Sequence, residues 1–492
     1  MEKIKSFKNN KAILYTLLVA FCFFYTGSAY MSQMYLLTDY YGDDVVDLIT
    51  SGLNYLLQAL GITIFIICIR KWPVAFRRKN TFIATLIAGI PLMAIMLLSE
   101  SGPVIVIFGS LFNLLVGLYF GYYLTFLSAF VGVGDIGKSY GFSYAVASVG
   151  TYFLTVIDGS EFLVSDSVVY VYIIFAVTTI MIVYCGEDLP ILPTDDILIS
   201  TKKEQSIDSE GDSVNIISEN EHKTVSVNIM SDIDPEHASA IKKNFRWLVV
   251  FILIMSFVSS IGSGLYLSLP GTSNANFTLG RAFYAVGLIS AGFIIDRSRQ
   301  LGELITLASL TYPLIATSIL YNSENGTVAV CLSYLFIGFI AVYRVVSFTD
   351  LKKDSSCLLP FAAFGLMLSR LIDVAVTVIF FYVQIPLIAQ LLVSTAIYSI
   401  LLVLFVYYMI GKTPKEQPLT EENLLADFSK KYNLTARESE ILSCIRDGLS
   451  DSEIAEKYFI SKSTVRFHIS NLLKKTDSGN RVDAVRKLQM HR

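Results

Sequence analysis

Twelve long stretches of mostly apolar residues run through the first 410 positions of this chain, and they decide what it can fold into. They lie at 12–37, 45–69, 81–99, 104–130, 140–157, 168–185, 247–269, 277–295, 301–321, 328–348, 358–383 and 386–410. As helices rising about 1.5 Å per residue, they are long enough for the ~30 Å hydrocarbon core of a bilayer. In lipid every backbone amide and carbonyl needs an internal partner, so spans of this length are helices. With 54% hydrophobic and 16% charged residues, the chain lies outside the balance of an ordinary soluble enzyme. Residues 1–10 are basic, and the run behind them is too long for the apolar core of a signal peptide.

The loops set an expected orientation. Arg70, Lys71, Arg77, Arg78 and Lys79 follow the second stretch, Lys138 the fourth, Arg297 and Arg299 the eighth, and Lys352 and Lys353 the tenth. Loops in between carry Asp39, Asp43 and Asp44, then Glu100, then Asp158, Glu161 and Asp166, without Lys or Arg. By the positive-inside rule the even-numbered loops and both termini face the cytoplasm. The spans fall into two sets of six, residues 1–185 and 244–410. Between them, residues 186–243 are polar, acidic and Ser-rich without periodicity, which reads as a disordered cytoplasmic linker.

Ionisable residues are costly within a bilayer and point to function. Arg281 lies in the eighth span, and Arg370 and Asp373 in the eleventh. At a separation of three, Arg370 and Asp373 share a helix face. Two readings stay open: a purely structural pair, or members of a ligand cavity. Arg344, near the cytoplasmic end of the tenth span, is expected to snorkel. The six cysteines have neither disulfide-framework nor metal-ligand spacing. No Walker loop, dinucleotide fingerprint, zinc motif or nucleophile–base constellation is present, so neither an enzyme nor a cofactor or metal is expected.

Residues 420–492 are of a different kind. Thr435 with Glu438, and Ser450 with Glu453, have the spacing of capping boxes. Gly448 stands where a left-handed residue stops the first helix. Ser461 opens a third helix with Val465, Ile469 and Leu472 as its buried stripe, and Asn480 opens a fourth holding Val482, Val485 and Leu488. From Lys457 onward nine Lys and Arg face two Asp, the asymmetry of a phosphate-facing surface. Ahead of these helices, Leu424, Leu425 and Phe428 read as an extra amphipathic helix. Residues 411–419 hold two prolines and read as an extended tether reaching about 25–30 Å at ~3.3 Å per residue.

This last region resembles the LuxR-type (GerE- or NarL-like) helix-turn-helix domain. The resemblance rests on Leu434-Thr435, Arg437-Glu438, Gly448, Glu453-Ile454-Ala455, Ile460-Ser461, Thr464-Val465, His468, Asn471, Leu473-Lys474-Lys475 and Asn480-Arg481-Val482. It departs at Thr476-Asp477, where the family more often has an apolar residue and Gly, and at Tyr458, where Leu is common. The resemblance implies that the third helix enters a major groove, with Arg466, Phe467 and Ser470 at the base-reading positions. Lys462, Thr464, Lys474 and Lys475 would meet phosphates, His468 would orient or meet a phosphate, and the fourth helix would pair two copies on DNA.

The six-plus-six arrangement resembles the major facilitator architecture. Gly292-Phe293-Ile294-Ile295-Asp296-Arg297 resembles that superfamily's Gly-x-x-x-Asp-Arg motif and departs at Arg299, where the motif has Gly. The expected fold is therefore all-α: a polytopic twelve-helix membrane bundle followed by a small four-helix DNA-binding domain. The expected function is membrane-anchored, one-component transcriptional regulation. A small molecule in the membrane domain, an anion if Arg281 and Arg370 hold it, would control binding to promoter DNA. Expected partners are promoter DNA, that ligand, membrane lipid, RNA polymerase and a second copy on DNA, at a bacterial inner membrane. The alternative is a transporter whose fused domain reports on its substrate.

Overall fold

A computed structural model of the chain describes residues 2–156, 161–190, 235–267, 275–312, 326–353, 356–383, 385–412, 425 and 428–489. Among these the chain is helical without strands. The helices are α1 Glu2–Thr38, α2 Asp43–Lys71, α3 Lys79–Leu97, α4 Gly102–Phe130, α5 Ile136–Val156 and α6 Val168–Cys185 in the first half. The second half has α7 Pro235–Leu267, α8 Phe277–Arg297, α9 Arg299–Ser309, α10 Thr327–Thr349, α11 Phe364–Tyr382 and α12 Leu387–Lys412. Each expected span therefore has its helix. Among the described residues, ten are long and apolar enough to cross a membrane. The two others are α5, diluted by Gly137, Gly141, Ser143, Ser148 and Gly150, and α9, whose segment continues into residues outside those described.

Glycine sets how closely these helices approach, and it does so twice. A Cβ on Gly61 of α2 would lie 2.2 Å from the Leu114 carbonyl oxygen of α4, and one on Gly117 would lie 2.1 Å from that of Gln58. In the second half, a Cβ on Gly287 of α8 would lie 2.2 Å from the Leu335 carbonyl oxygen of α10, and one on Gly338 would lie 2.7 Å from the Gly287 carbonyl carbon. Such backbone contact gains packing where lipid supplies no hydrophobic drive between helices. Second meets fourth in one half, and eighth meets tenth in the other: the crossing is repeated.

The halves are joined at the end of the bundle where the Gly292–Arg297 motif lies. Asp296 Oδ1 and Oδ2 accept the amides of Gly137 and Lys138 at 2.9 and 2.7 Å, where α5 starts. Arg299 donates to Asp296 at 3.1 Å, to the Val133 carbonyl at 2.8 Å and to Asp350 at 2.9 Å. The departure from the motif is thus an arginine with three partners.

Two expectations are corrected. Arg344 does not snorkel; it donates to Ser369 Oγ of α11 at 2.7 Å, and its Nε is buried. The segment 186–243 is not wholly a loose linker, because α7 already begins at Pro235. Its first residues are also held: Leu189 N donates to the Arg77 carbonyl at 3.0 Å, the Lys79 amide donates to Asp188 at 2.8 Å, and Lys11 pairs with Glu187 at 2.7 Å. Residues 191–234 lie outside those described.

The chain divides into two compact units, Met1–Val403 and Leu404–Arg492. The boundary lies inside α12, which runs unbroken to Lys412, so the expected tether at 411–419 starts no earlier than 413, and its remainder lies outside the described residues. The second unit continues with α13 Ala436–Arg446, α14 Asp451–Lys457, α15 Lys462–Lys475 and α16 Arg481–Gln489.

Candidate nucleic-acid interface and ligand cavity

Local chemistry cuts the second unit into its helices. In the capping box of α13, the Thr435 amide donates to Glu438 at 2.8 Å and the Glu438 amide to Thr435 Oγ1 at 3.3 Å. Ser450 and Glu453 repeat it for α14 at 2.7 and 3.4 Å. Ser461 caps α15 through the Thr464 amide at 3.1 Å. Gly448 has φ +81°, the left-handed stop expected of it.

The core has two parts. Ile441, Cys444, Ile445, Ile454, Ala455, Val465 and Ile469 pack between α13, α14 and α15. Phe428, Leu442, Leu472, Ala484 and Leu488 pack α16 and the preceding segment onto the other side. Phe428 is buried and Leu425 packs beside it as expected, whereas Leu424 lies outside the described residues. Val482 is a correction. It is 73% exposed, because α16 packs through Ala484 and Leu488, and at 100° per residue Val482 turns away from that line. The Thr476-Asp477 departure costs little packing. Thr476 is buried with its hydroxyl on the Leu472 carbonyl at 2.8 Å, and Asp477 adopts the positive φ of +48° for which glycine is usually selected.

With Val465, Ile469 and Leu472 inward, α15 presents Arg466, Phe467 and Ser470 outward. The Arg466 side chain is 74% exposed. Lys462 and Lys474 are exposed too, while Thr464 and His468 are half-buried, with Thr464 Oγ1 2.8 Å from the capping Ser461 hydroxyl. Two cations have partners that spacing does not reveal. Lys475 Nζ lies 2.6 Å from the buried Glu438 carboxylate and 3.0 Å from the Asn433 carbonyl, so it clamps the end of α15 to the start of α13. Arg466 Nε donates to Asp451 at 3.1 Å, and the other oxygen of that carboxylate accepts from Arg481 at 2.9 Å.

Both carboxylates show it in their acidity. Burial pushes the Glu438 carboxyl up, but the bonds from Lys475 and Thr435 outweigh it and hold the group below the usual range. Burial likewise works against the Asp451 carboxylate, and the bonds from Arg466 and Arg481 again win, leaving its pKa lowered.

In the membrane unit, Arg281 and Arg370 line one cavity of about 410 Å³. Its walls draw on α1 (Thr26, Tyr30), α2 (Tyr55, Gln58), α5 (Tyr144, Ser148), α8 (Arg281, Tyr284), α10 (Tyr334) and α11 (Arg370). Asp373 is not a wall residue; it stands 3.9 Å from Arg370, beyond good hydrogen-bond length. The Arg370 guanidinium sits 3.6 Å from the Tyr55 ring centroid, a cation–π contact linking the halves.

A buried amide network behind this cavity went unread in the sequence. Gln58 Nε2 donates to Asn113 at 2.7 Å, and Asn113 and Asn54 both donate to Gln33 Oε1, at 3.2 and 3.0 Å. Four carboxamides inside apolar spans were the available signal.

Comparison with known proteins divides along the same line. Residues 432–488 match the family described as bacterial regulatory proteins, luxR family. The uncharacterized transcriptional regulatory protein YhcZ of Bacillus subtilis is 47% identical over 55 residues, 11% of this chain and 26% of that protein. The CsgBAC operon transcriptional regulatory protein of Escherichia coli is 52% identical over 52 residues, 11% of this chain and 24% of that protein. The chain thus spans about a quarter of the length of these curated relatives. Among solved structures, the Escherichia coli fucose:proton symporter FucP aligns with a TM-score of 0.52 at 12% identity, covering 80% of this chain and 97% of that one. The major facilitator proton:xylose symporter XylE gives 0.51 at 13%, covering 83% and 96%. At such identities the likeness is one of fold. The chain therefore joins, behind a helical unit with the major facilitator fold, a C-terminal domain of the luxR family of bacterial regulatory proteins.

Proposed function

We propose that this protein is a membrane-anchored, one-component transcriptional regulator whose membrane unit senses a small molecule and thereby controls promoter binding by the C-terminal domain. One observation carries the reading: a single chain holds a capped helix-turn-helix with Arg466 and Phe467 on its open face, and also a cavity walled by Arg281 and Arg370. The charge asymmetry of the loops supports a C-terminal domain on the DNA side of a bacterial inner membrane, because basic loops favour the cytoplasmic face. Arg466, Phe467 and Ser470 read base edges; Lys462, Thr464, His468 and Lys474 meet phosphates; lipid surrounds the spans. Lys475 keeps its ion pair with Glu438 and contributes to phosphate binding only through its charge. Two copies pair on DNA through α16, where exposed Val482 is available, and recruit or hinder RNA polymerase there. A ligand moves such an equilibrium only by binding one state more tightly than the other.

Genome-wide occupancy of the full-length, membrane-embedded protein, beside an Arg466→Ala control, tests this. Discrete peaks lost in the variant support the regulator. Absence of peaks across growth conditions refutes it. A second reading, a transporter whose fused domain reports on flux, draws on the fold shared with two symporters and on the intact Asp296–Arg299–Asp350 bridge. Substrate accumulation in vesicles that is lost on changing Arg281, Arg370 or Asp373 would favour it.

A further inference from the structure

We infer that the cavity of the membrane unit takes a small planar organic carboxylate that also carries a hydrogen-bond donor, bound across the two halves. The inference deepens the sensing reading by naming the ligand's chemistry, and it rests on that reading only for the consequence of binding.

Charge is the first argument. Among the described residues two guanidinium groups line the cavity and no Asp or Glu does. Asp373 stays outside the wall at 3.9 Å, so it offsets one of the two charges only in part. Cations held away from water are costly unless an anion or oriented acceptors compensate them. Arg370 Nε is buried and, among the described residues, has no hydrogen-bond partner. A carboxylate engaging Arg281 and Arg370 would offset that cost, and the planar fork of an arginine suits the two oxygens of a carboxylate.

The wall supplied by the first half asks for something else. Gln58 is buried, and the network fixes its amide: Nε2 donates to Asn113 at 2.7 Å, which leaves Oε1 as an acceptor. That oxygen too is buried without a partner among the described residues. A buried acceptor of this kind is filled by an N–H or O–H. Gln58 comes from the first half, and Arg281 and Arg370 come from the second. One molecule meeting both needs therefore touches both halves, and its affinity depends on how the halves stand.

Shape completes the description. Phe23, Tyr30, Tyr55, Phe120, Tyr144, Tyr284 and Tyr334 supply flat walls to a cavity of about 410 Å³, toward the small end of the usual ~300–1,000 Å³ for ligand pockets. Arg370 already stacks on Tyr55, so that face is taken. The remaining rings fit a single planar body better than a flexible, many-hydroxyl one.

The test uses purified full-length protein in nanodiscs and three probes, with binding read by calorimetry. The probes are 4-hydroxybenzoate, benzoate without the donor, and methyl 4-hydroxybenzoate without the charge. Expected is tightest binding by 4-hydroxybenzoate, with about ten- to hundredfold loss for the ester and a smaller loss for benzoate. Arg281→Gln should remove the acid-over-ester preference. Gln58→Met should remove the preference for hydroxybenzoate over benzoate while keeping that of acid over ester. Because Arg370→Gln alone strands Asp373, it is made together with Asp373→Asn, and melting of each variant checks that it folds. Equal binding of ester and acid, or no binding of either acid to folded protein, overturns the inference. Acid binding that leaves DNA occupancy unchanged would instead refute the sensing reading while the site stands.

Discussion

Asp451→Asn should separate the positioning of Arg466 from its charge. The Asp451 carboxylate takes only the Nε hydrogen of Arg466, at 3.1 Å, and leaves both terminal nitrogens to fork onto a guanine edge. Its other oxygen ties Arg481 at 2.9 Å, so the recognition helix and α16 share one anchor at the start of α14. The Arg466 side chain is 74% exposed, so its pair is worth at most about 1 kcal/mol of stability. The anchor matters more for binding. An unanchored, rotamer-rich side chain costs about 0.5–1.5 kcal/mol to order at an interface. Discrimination at the guanine position should therefore fall about two- to twelvefold, while non-specific affinity rises because a negative charge near phosphate is gone. The assay is competition between a selected duplex and random DNA, using full-length protein in nanodiscs, for Asp451→Asn, Arg466→Ala and the double variant. The double variant should discriminate no worse than Arg466→Ala alone. Unchanged discrimination in Asp451→Asn, or an equal loss in the Arg466→Ala background, would refute the reasoning.

Arg466→Ala itself should weaken specific binding by about 1–3 kcal/mol and relax one base position, as read from selected sequences. Acidification should loosen the C-terminal domain. Glu438 and Asp451 have lowered folded-state pKa values, so their stabilisation is complete above the usual carboxylate range and is lost as pH falls through those values. Hydrogen exchange of α13 and α15 against pH should show this, and Glu438→Gln should flatten the dependence; a profile identical to the parent would remove Glu438 from the account. Gly117→Val adds a side chain whose Cβ alone would lie 2.1 Å from the Gln58 carbonyl oxygen, and should lower membrane-unit stability by at least about 1–3 kcal/mol in detergent melting. Shortening residues 413–418 should impair regulation while leaving DNA affinity intact, as a reporter beside a binding assay would reveal.

The division between what was legible and what was not follows from range. Spans, loop charges, capping boxes and the α15 stripe are local: each depends on residues within about one turn or on the length of an apolar run, so the order of residues suffices. The same holds for the open face carrying Arg466, Phe467 and Ser470, which follows once Val465, Ile469 and Leu472 turn inward. Val482 failed because an apolar residue on a short helix says nothing of which side its neighbours cover; Ala484 and Leu488 decided that. The sequence offered Arg281, Arg370 and Asp373 as a set, and only packing brought the two arginines, 89 positions apart in sequence, to one cavity wall while leaving Asp373 behind it. Gln58, Asn113 and Gln33 lie on three different helices, and their network exists because Gly61 and Gly117 let α2 and α4 touch. Lys475 on Glu438 and Arg466 on Asp451 are likewise contacts between helices. Local order wrote the helices and their charges into the chain; which charges meet was decided by close packing between segments far apart in sequence.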